Sequence, residues 1–319
     1  MSRKNNNRFK NMVMVVITLT FAALIGLGIY AHYTAKYKHI NLKELNTKLY
    51  IEAADNVSKE KLQTNWQYMA AIDGVRYKND FSKATSSNVN QLANMFLEKN
   101  TTSVKVKNSE YKLVDLDEVL NKLSFDSKQQ AKVHSYIEDL KYTGTLKNNL
   151  NDSAKQKFIQ ELYPGAVQIY EKYNVLPSII ISQAILESGW GKSDLSVKAN
   201  NLFGIKADSN WKGKKVKMNT SEYYDKKIVD NFRVYDNKEQ SLKDYGEFLK
   251  NNKRYKQNGV FQATQYIAQA NAIEKAGYST VENKNGEQIY SELLIGIIKD
   301  QNLQLLDYQC EMRYLKGNK

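Results

Sequence analysis

The stretch from Leu176 to Ser193 constrains this chain more than any other. Pro177 is tolerated at a helix start, where its missing N–H is not needed. Ile179, Ile180, Ile181, Ala184, Ile185 and Leu186 follow with almost no polar stripe, so the helix is expected to be buried nearly all round. The run ends on one carboxylate, Glu187, and Gly189 and Gly191 then break the backbone. Two readings of Glu187 follow. It either leaves the helix into water, or it is held at the end of a buried helix. In the second case desolvation and the negative end of the helix dipole both disfavour its charged form. A carboxyl raised in this way suits proton donation near neutral pH.

At 319 residues the chain can hold two modest domains. Its formal charge of +13 is compatible with an anionic partner such as nucleic acid, acidic lipid or a wall polymer. The basic residues are spread rather than blocked, which reads as a solvated basic surface. No aromatic–basic module stands out, so nucleic acid is not an expected partner. Met12 to Ala31 is an uncharged apolar run of about bilayer-spanning length. Arg3, Lys4, Arg8 and Lys10 precede it, which favours a cytoplasmic N-terminus and an outside C-terminal part. A cleaved signal peptide ending near Ala31 or Ala35 is the competing reading. The run is longer than the usual signal core, so a single-pass anchor in the cell membrane is expected. Cys310 is the one cysteine, so no intramolecular disulfide forms. An exported chain without disulfides fits a Gram-positive envelope better than a eukaryotic secretory route.

The expected division is a cytoplasmic tail and transmembrane helix over 1–38, a linker over 39–50 and a helical accessory domain over 51–145. A second domain over 150–308 and a tail over 309–319 complete it. Trp66, Met69, Ala70, Ile72 and Tyr77 share a helix face. Leu92, Met95 and Phe96 predict another helix after Asn88. Leu116, Val119, Leu120 and Leu123 predict a third. Val133, Tyr136, Ile137 and Leu140 predict a fourth, capped at Asp126-Ser127. Thr143 to Ser153 reads as the boundary. Beyond it the pattern is helical through Tyr170 and the Glu187 helix. Val216, Met218 and Thr220 then alternate with polar residues, as do Phe232 and Val234, which predicts a β-hairpin turning near Asp225-Lys226-Lys227. Asp236 and Glu239 resemble a capping box. Gln262–Ala276 and Glu287–Asp300 are expected as helices.

The three histidines, His32, His39 and His134, all precede residue 150. This leaves the second domain no histidine-based zinc site and no Ser-His-Asp or Cys-His pair. Gly191-Lys192-Ser193 is no phosphate loop, because Leu186 stands where the first glycine belongs and a helix precedes it. No metal or cofactor is expected. Carboxylates remain. Glycoside hydrolysis uses an acid on the leaving oxygen and, usually, a second carboxylate. Glu187 suits the first role. Glu222 on the hairpin, beside Tyr223 and Tyr224, is best placed for the second, with Asp208, Asp225 and Asp230 as competitors.

The segment Leu176-Pro177-Ser178 through Glu187-Ser188-Gly189-Trp190-Gly191-Lys192-Ser193 resembles the catalytic helix of the bacterial endo-β-N-acetylglucosaminidases of glycoside hydrolase family 73. Asn200-Asn201-Leu202-Phe203-Gly204-Ile205-Lys206, Thr220-Ser221-Glu222-Tyr223, Phe232-Arg233-Val234-Tyr235, Ser241-Leu242-Lys243-Asp244-Tyr245 and Ala276-Gly277-Tyr278-Ser279 resemble further family segments in the family's order. The resemblance covers about residues 155 to 306. Val281 to Gly286 departs from the short turn typical of the family.

The resemblance implies a lysozyme-like α+β domain, mainly α with one β-hairpin, behind an N-terminal transmembrane helix and a small helical bundle. It implies cleavage of the β-1,4 bond between N-acetylglucosamine and N-acetylmuramic acid in peptidoglycan glycan strands. Glu187, Glu222 and Tyr278 are the catalytic residues it points to. Gln183, Trp190, Asn201, Phe203, Tyr224 and Tyr235 are the expected substrate-binding residues. A water displacement with inversion and participation by the substrate's acetamido group both fit. A lytic transglycosylase and a non-catalytic wall-binding scaffold are the alternatives. The anchored bundle is expected to hold the groove near the membrane, where it trims nascent strands, and to dock on a polytopic membrane protein.

Overall fold

A computed structural model describes residues 37–101, 109–146, 150–222 and 226–317, together with Met14, Thr18, Thr20, Phe21 and residues 23–28. Most of the Met12–Ala31 run lies outside the described residues. Among those described, no helix is long and apolar enough to cross a membrane.

Side-chain caps start most of the N-terminal helices. Asn46 caps α1 (Thr47–Ser58) and Asn65 caps α2 (Trp66–Arg76). Thr85 and Asn88 form a reciprocal box at α3 (Ser86–Asn94). Strand β1 (Leu97–Lys99) then pairs antiparallel with β2 (Tyr111–Leu113). Asp115 caps α4 (Leu116–Lys122), and α5 (Ser127–Leu146) follows. These elements close around Tyr50, Trp66, Met69, Ile72, Phe96 and Tyr136. Helix α1 and the β1–β2 pair are additions to the expected bundle. Strands of three residues leave too short a period to read.

Helix α6 (Leu150–Tyr173) begins the second core, so the expected boundary loop is helical up to Leu146 and again from Leu150. Then come α7 (Pro177–Ser188), α8 (Asp194–Ala199), strand β3 (Lys215–Glu222) and strand β4 (Lys226–Arg233). Helices α9 (Lys238–Asn251), α10 (Lys253–Gln257), α11 (Tyr266–Lys275), α12 (Tyr290–Asp300) and α13 (Gln304–Gly317) complete the chain. Helix α7 lies at the centre of this core: every residue from Pro177 to Ile185 is buried. Helices α6 and α9 approach so closely that a Cβ on Gly165 would stand 2.8 Å from Leu242 Cδ1. The cap of α9 is Asn237, whose side chain accepts from Gln240 N–H, one residue later than the expected Asp236–Glu239 box. Glu222 pairs with Lys226 and Ser221 with Lys227, so Lys226 and Lys227, read from sequence as part of the turn, belong to β4.

The expected tail from 309 is the second half of α13, with Cys310 and Glu311 buried. Tyr308 of this helix enters the N-terminal core. Glu311 accepts from Gln63 N–H at 3.1 Å, and Trp66 Nε1 donates to Asn302 at 3.1 Å. Buried Asp55 of α1 accepts from the Tyr266 hydroxyl at 2.8 Å and pairs with Lys299 at 3.1 Å. The two cores are thus joined by polar contacts made inside the protein. Such contacts are costly to break, because each leaves a desolvated partner behind.

Asp307 caps the central helix from a distance. No side chain of its own entry residue, Leu176, caps α7. Asp307 accepts from Ser178 N–H at 2.8 Å and from the Ser178 hydroxyl at 2.5 Å. Burial pushes the Asp307 carboxyl up from 3.8 to about 7, against the pull of the two Ser178 bonds. The folded state therefore holds more protons than the unfolded chain between these values. The stability this group contributes is present below the unfolded value and is lost as pH rises through about 7. Burial raises Glu311 as well, in the same sense. The melting temperature should fall from about pH 5 to about pH 8, and Asp307→Asn should flatten that fall. A wild-type melting temperature that rises across this range would contradict the assignment.

Candidate active site

Glu187 stands one residue from the C-terminus of α7. Gly189 ends the helix in the left-handed region, at φ 55° and ψ 51°, a conformation glycine adopts without cost. Ser188 is buried and fixes the turn: its hydroxyl donates to Ala184 C=O at 2.5 Å and accepts from Gly191 N–H at 2.6 Å. Ser193 then caps α8. The Glu-Ser-Gly-Trp-Gly run is a hydrogen-bonded stop that presents Glu187 at a fixed place.

That place is the wall of an open groove of about 1220 Å³. Phe203, Ile205, Asp208, Met218, Arg254 and Tyr278 also line it. The Glu187 side chain opens to the groove, while the helix that carries it is buried from Pro177 to Ile185. Burial raises its carboxyl above the usual range, and a hydrogen bond from Tyr290 opposes the rise. Of the two readings of Glu187, the geometry matches the held, raised carboxyl.

Tyr290 was not legible in the sequence. Its hydroxyl donates to Glu187 Oε1 at 2.7 Å. Gln183 Nε2 donates to the Tyr290 oxygen at 3.0 Å, and the Tyr245 hydroxyl donates to Gln183 Oε1. Gln183, expected at the substrate, is fully buried in this chain of bonds behind Glu187. One signal was present: a polar side chain in an otherwise apolar buried helix, four residues before Glu187, must find a partner inside.

Tyr278 does line the groove, stacked on Tyr290 with ring centroids 5.4 Å apart. Burial places the Tyr245, Tyr278 and Tyr290 hydroxyls well above their ordinary range, so they stay protonated. Phe203 stacks on Tyr245 at 4.0 Å and lines the groove.

Three other residues expected at the substrate make contacts within the protein. Asn201 is buried and binds backbone only: it takes Ile205 N–H and donates to Ile205 C=O and Arg233 C=O. Tyr235 is buried, with its hydroxyl on Asp244 at 2.6 Å, and is absent from the groove lining. Trp190 packs on Phe158 under Lys155 and is likewise absent from the lining. All three are polar or aromatic groups satisfied by the protein itself.

Asn201 and Asp244, the second also holding Arg233 Nη1 at 2.8 and 3.0 Å, tie the base of the hairpin to the helical core. Glu222 ends β3, where it pairs with Lys226, four residues after groove-lining Met218. Tyr224 and Asp225 lie outside the described residues. Asp230 is paired with Lys206 at 2.9 Å, which holds its carboxyl below the usual range. Asp208 lines the groove but accepts from Asn210 and Trp211 N–H. Among the described residues no group of three His, Cys, Asp or Glu could hold a metal ion.

Residues 163–303 match the family described as "Glucosaminidase: Mannosyl-glycoprotein endo-beta-N-acetylglucosaminidase". The chain is 40% identical over 161 residues to the exo-glucosaminidase LytG of Bacillus subtilis, covering 48% of this chain and 54% of that protein. It is 36% identical over 131 residues to the peptidoglycan hydrolase FlgJ of Vibrio parahaemolyticus, covering 39% and 42%. The chain therefore spans about half the length of these curated relatives. The catalytic domain of the autolysin Auto of Listeria monocytogenes is 34% identical, covering 48% of this chain and 87% of that one, with a TM-score of 0.42.

Proposed function

Because the chain belongs, through residues 163–303, to the glucosaminidase family, we propose that it is a peptidoglycan hydrolase. In this reading it is an endo-β-N-acetylglucosaminidase that cuts the β-1,4 bond following N-acetylglucosamine, towards N-acetylmuramic acid. The observation that carries the reading is Glu187: a carboxyl raised by burial, open to a long groove, hydrogen-bonded on one oxygen. Such a group gives a proton to a leaving glycosidic oxygen at neutral pH. The names of LytG and FlgJ support the substrate class.

The reading extends to a membrane anchor over Met12–Ala31, with residues beyond 38 outside the cell. The described residues of that run are helical, and Phe21, Leu24, Ile25 and Leu27 are at least half exposed, which suits a lipid-facing helix. A short rise from the membrane keeps the groove close to it, since a helix gains only about 1.5 Å per residue. The enzyme then trims newly made strands, and its N-terminal helices orient the groove, with a polytopic membrane protein as docking partner.

One experiment tests the chemistry and the anchor together. Cells lacking the protein receive either the full chain or exported residues 39–319, which keep both cores. Their glycan strands are isolated, reduced and analysed by mass spectrometry. The full chain should shorten strands and create reduced N-acetylglucosamine ends, and the unanchored chain at equal abundance should shorten them poorly. Anhydro-muramic ends would instead identify a transglycosylase, and no new ends a wall-binding protein. Full shortening by residues 39–319 would remove the anchor from the account.

A further inference from the structure

Glu187 has two oxygens, and a general acid must carry its proton on the one that faces the bond to be broken. The buried chain behind Glu187 decides which one it is. Its three bonds have a single direction. Tyr245 donates its hydroxyl hydrogen to Gln183 Oε1. That fixes the Gln183 amide, so Nε2 points at Tyr290 and donates to the phenol oxygen at 3.0 Å. The Tyr290 hydroxyl hydrogen is thereby left to donate, and it lies on Glu187 Oε1 at 2.7 Å. An oxygen already accepting from a hydroxyl at this distance cannot present its own proton in the same direction. Gln183, Tyr245 and Tyr290 are each almost wholly buried, so water does not compete for these bonds.

We propose that Tyr290, fixed by Gln183 and Tyr245, is a positioning residue that keeps the acidic proton of Glu187 on Oε2, the oxygen Tyr290 leaves free. The inference rests on the reading of Glu187 as proton donor. In the step itself the Oε2–H bond breaks, the proton passes to the glycosidic oxygen, and that oxygen keeps the electron pair of the cleaved C–O bond while the anomeric carbon bonds to water or to the substrate's own acetamido oxygen. Glu187 is left as a carboxylate, and the Tyr290 bond to Oε1 strengthens as the negative charge appears. The same bond thus orders the ground state and stabilises the product side of the proton transfer. Tyr290 does not line the groove, so its effect is carried by Glu187 and not by contact with the glycan. The ionisable groups nearest Glu187 are Tyr245, Tyr278 and Tyr290, raised first by burial, and they stay neutral through the working range. Asp194, Lys206, Asp208, Arg233, Asp244, Glu247 and Arg254 also line the groove.

The test compares Tyr290→Phe, Tyr245→Phe and the double variant in the full chain. Glycan cleavage is followed from about pH 4 to 9, and the Glu187 carboxyl is titrated by 13C NMR, assigned by difference from Glu187→Gln. Tyr290→Phe removes a bond that favours the carboxylate, so the Glu187 midpoint and the alkaline limb of kcat/KM should both move up. Turnover below that limb should drop about tenfold with KM nearly unchanged, because orientation is lost and not binding. Tyr245→Phe frees the Gln183 amide to turn over and should give a smaller shift of the same sign. Adding it to Tyr290→Phe should change nothing further. An unmoved NMR midpoint in Tyr290→Phe, in a variant that keeps its melting temperature, overturns the proposal. So do effects of the two variants that add in full. The NMR titration needs no turnover, so a failure of the hydrolase reading, seen as full activity in Glu187→Gln, stays separate from a failure of this one.

Discussion

Glu187→Gln reduces glycan hydrolysis by at least about a hundredfold, because general acids typically supply that much or more, and leaves the fold in place. The amide has the shape of the carboxyl, and its oxygen can still accept from the Tyr290 hydroxyl that now holds Glu187 Oε1. The turn after Glu187 depends on Ser188, Gly189 and Gly191, none of which is touched. The melting temperature and binding to insoluble peptidoglycan should therefore match the wild type. What disappears is the proton. Burial holds the native carboxyl above its usual range, so its acid form persists towards neutral pH, and an amide has nothing to donate. The measurement is turnover of the purified variant on isolated peptidoglycan. Activity above about a tenth of wild type would remove Glu187 from the role of acid.

The sequence made Glu187 legible because three local signals coincide there. Pro177 marks a start, an uninterrupted apolar run marks burial, and Gly189 marks a stop, and the structure has a helix over Pro177–Ser188 with those properties. The hairpin was legible from the period of two in Val216, Met218 and Thr220. The support behind Glu187 was not. Tyr290 is 103 residues away along the chain. It stands at helical spacing from Leu294 and Ile298, so it reads as one more core aromatic among 22 tyrosines. Helix α13 was hidden for a related reason. Asp307 and Glu311 look like solvent-facing charges near the C-terminus, yet they are buried because Ser178 and Gln63 offer donors from distant segments. Local pattern reveals which faces are apolar. It does not reveal which buried polar atoms meet, and in this molecule those meetings hold both the acid and the joint between the two cores. The same limit applies to Asn201 and Tyr235, whose polar atoms meet Arg233 C=O and Asp244.

Glu222→Gln is expected to lower turnover by at least about tenfold with little change in glycan affinity, the second largest effect of any single change. The argument starts from the hairpin. Its base is fixed to the helical core by the Arg233–Asp244 fork and by Asn201, and Lys206 bridges to Phe232. Its strands then run outward in one register from Lys215↔Arg233 to Glu222↔Lys226, so the position of Glu222 follows from that base. Met218 and Asn219 of the same strand line the groove that Glu187 opens into. A second carboxylate in glycoside hydrolysis acts on water or offsets positive charge at the cleaved carbon, and that is the role expected of Glu222. Two of the three competitors, Asp230 and Asp208, already have partners elsewhere. Asp230 is held ionised by Lys206, and Asp208 accepts the backbone N–H groups of Asn210 and Trp211. Their amide variants should keep most of the activity. Turnover and peptidoglycan binding measured side by side for Glu222→Gln, Asp208→Asn, Asp225→Asn and Asp230→Asn decide the assignment. Near-normal turnover in Glu222→Gln with a large loss in one aspartate variant moves the role to that aspartate. A loss of affinity equal to the loss of turnover would make Glu222 a binding residue and leave the groove with one working acid.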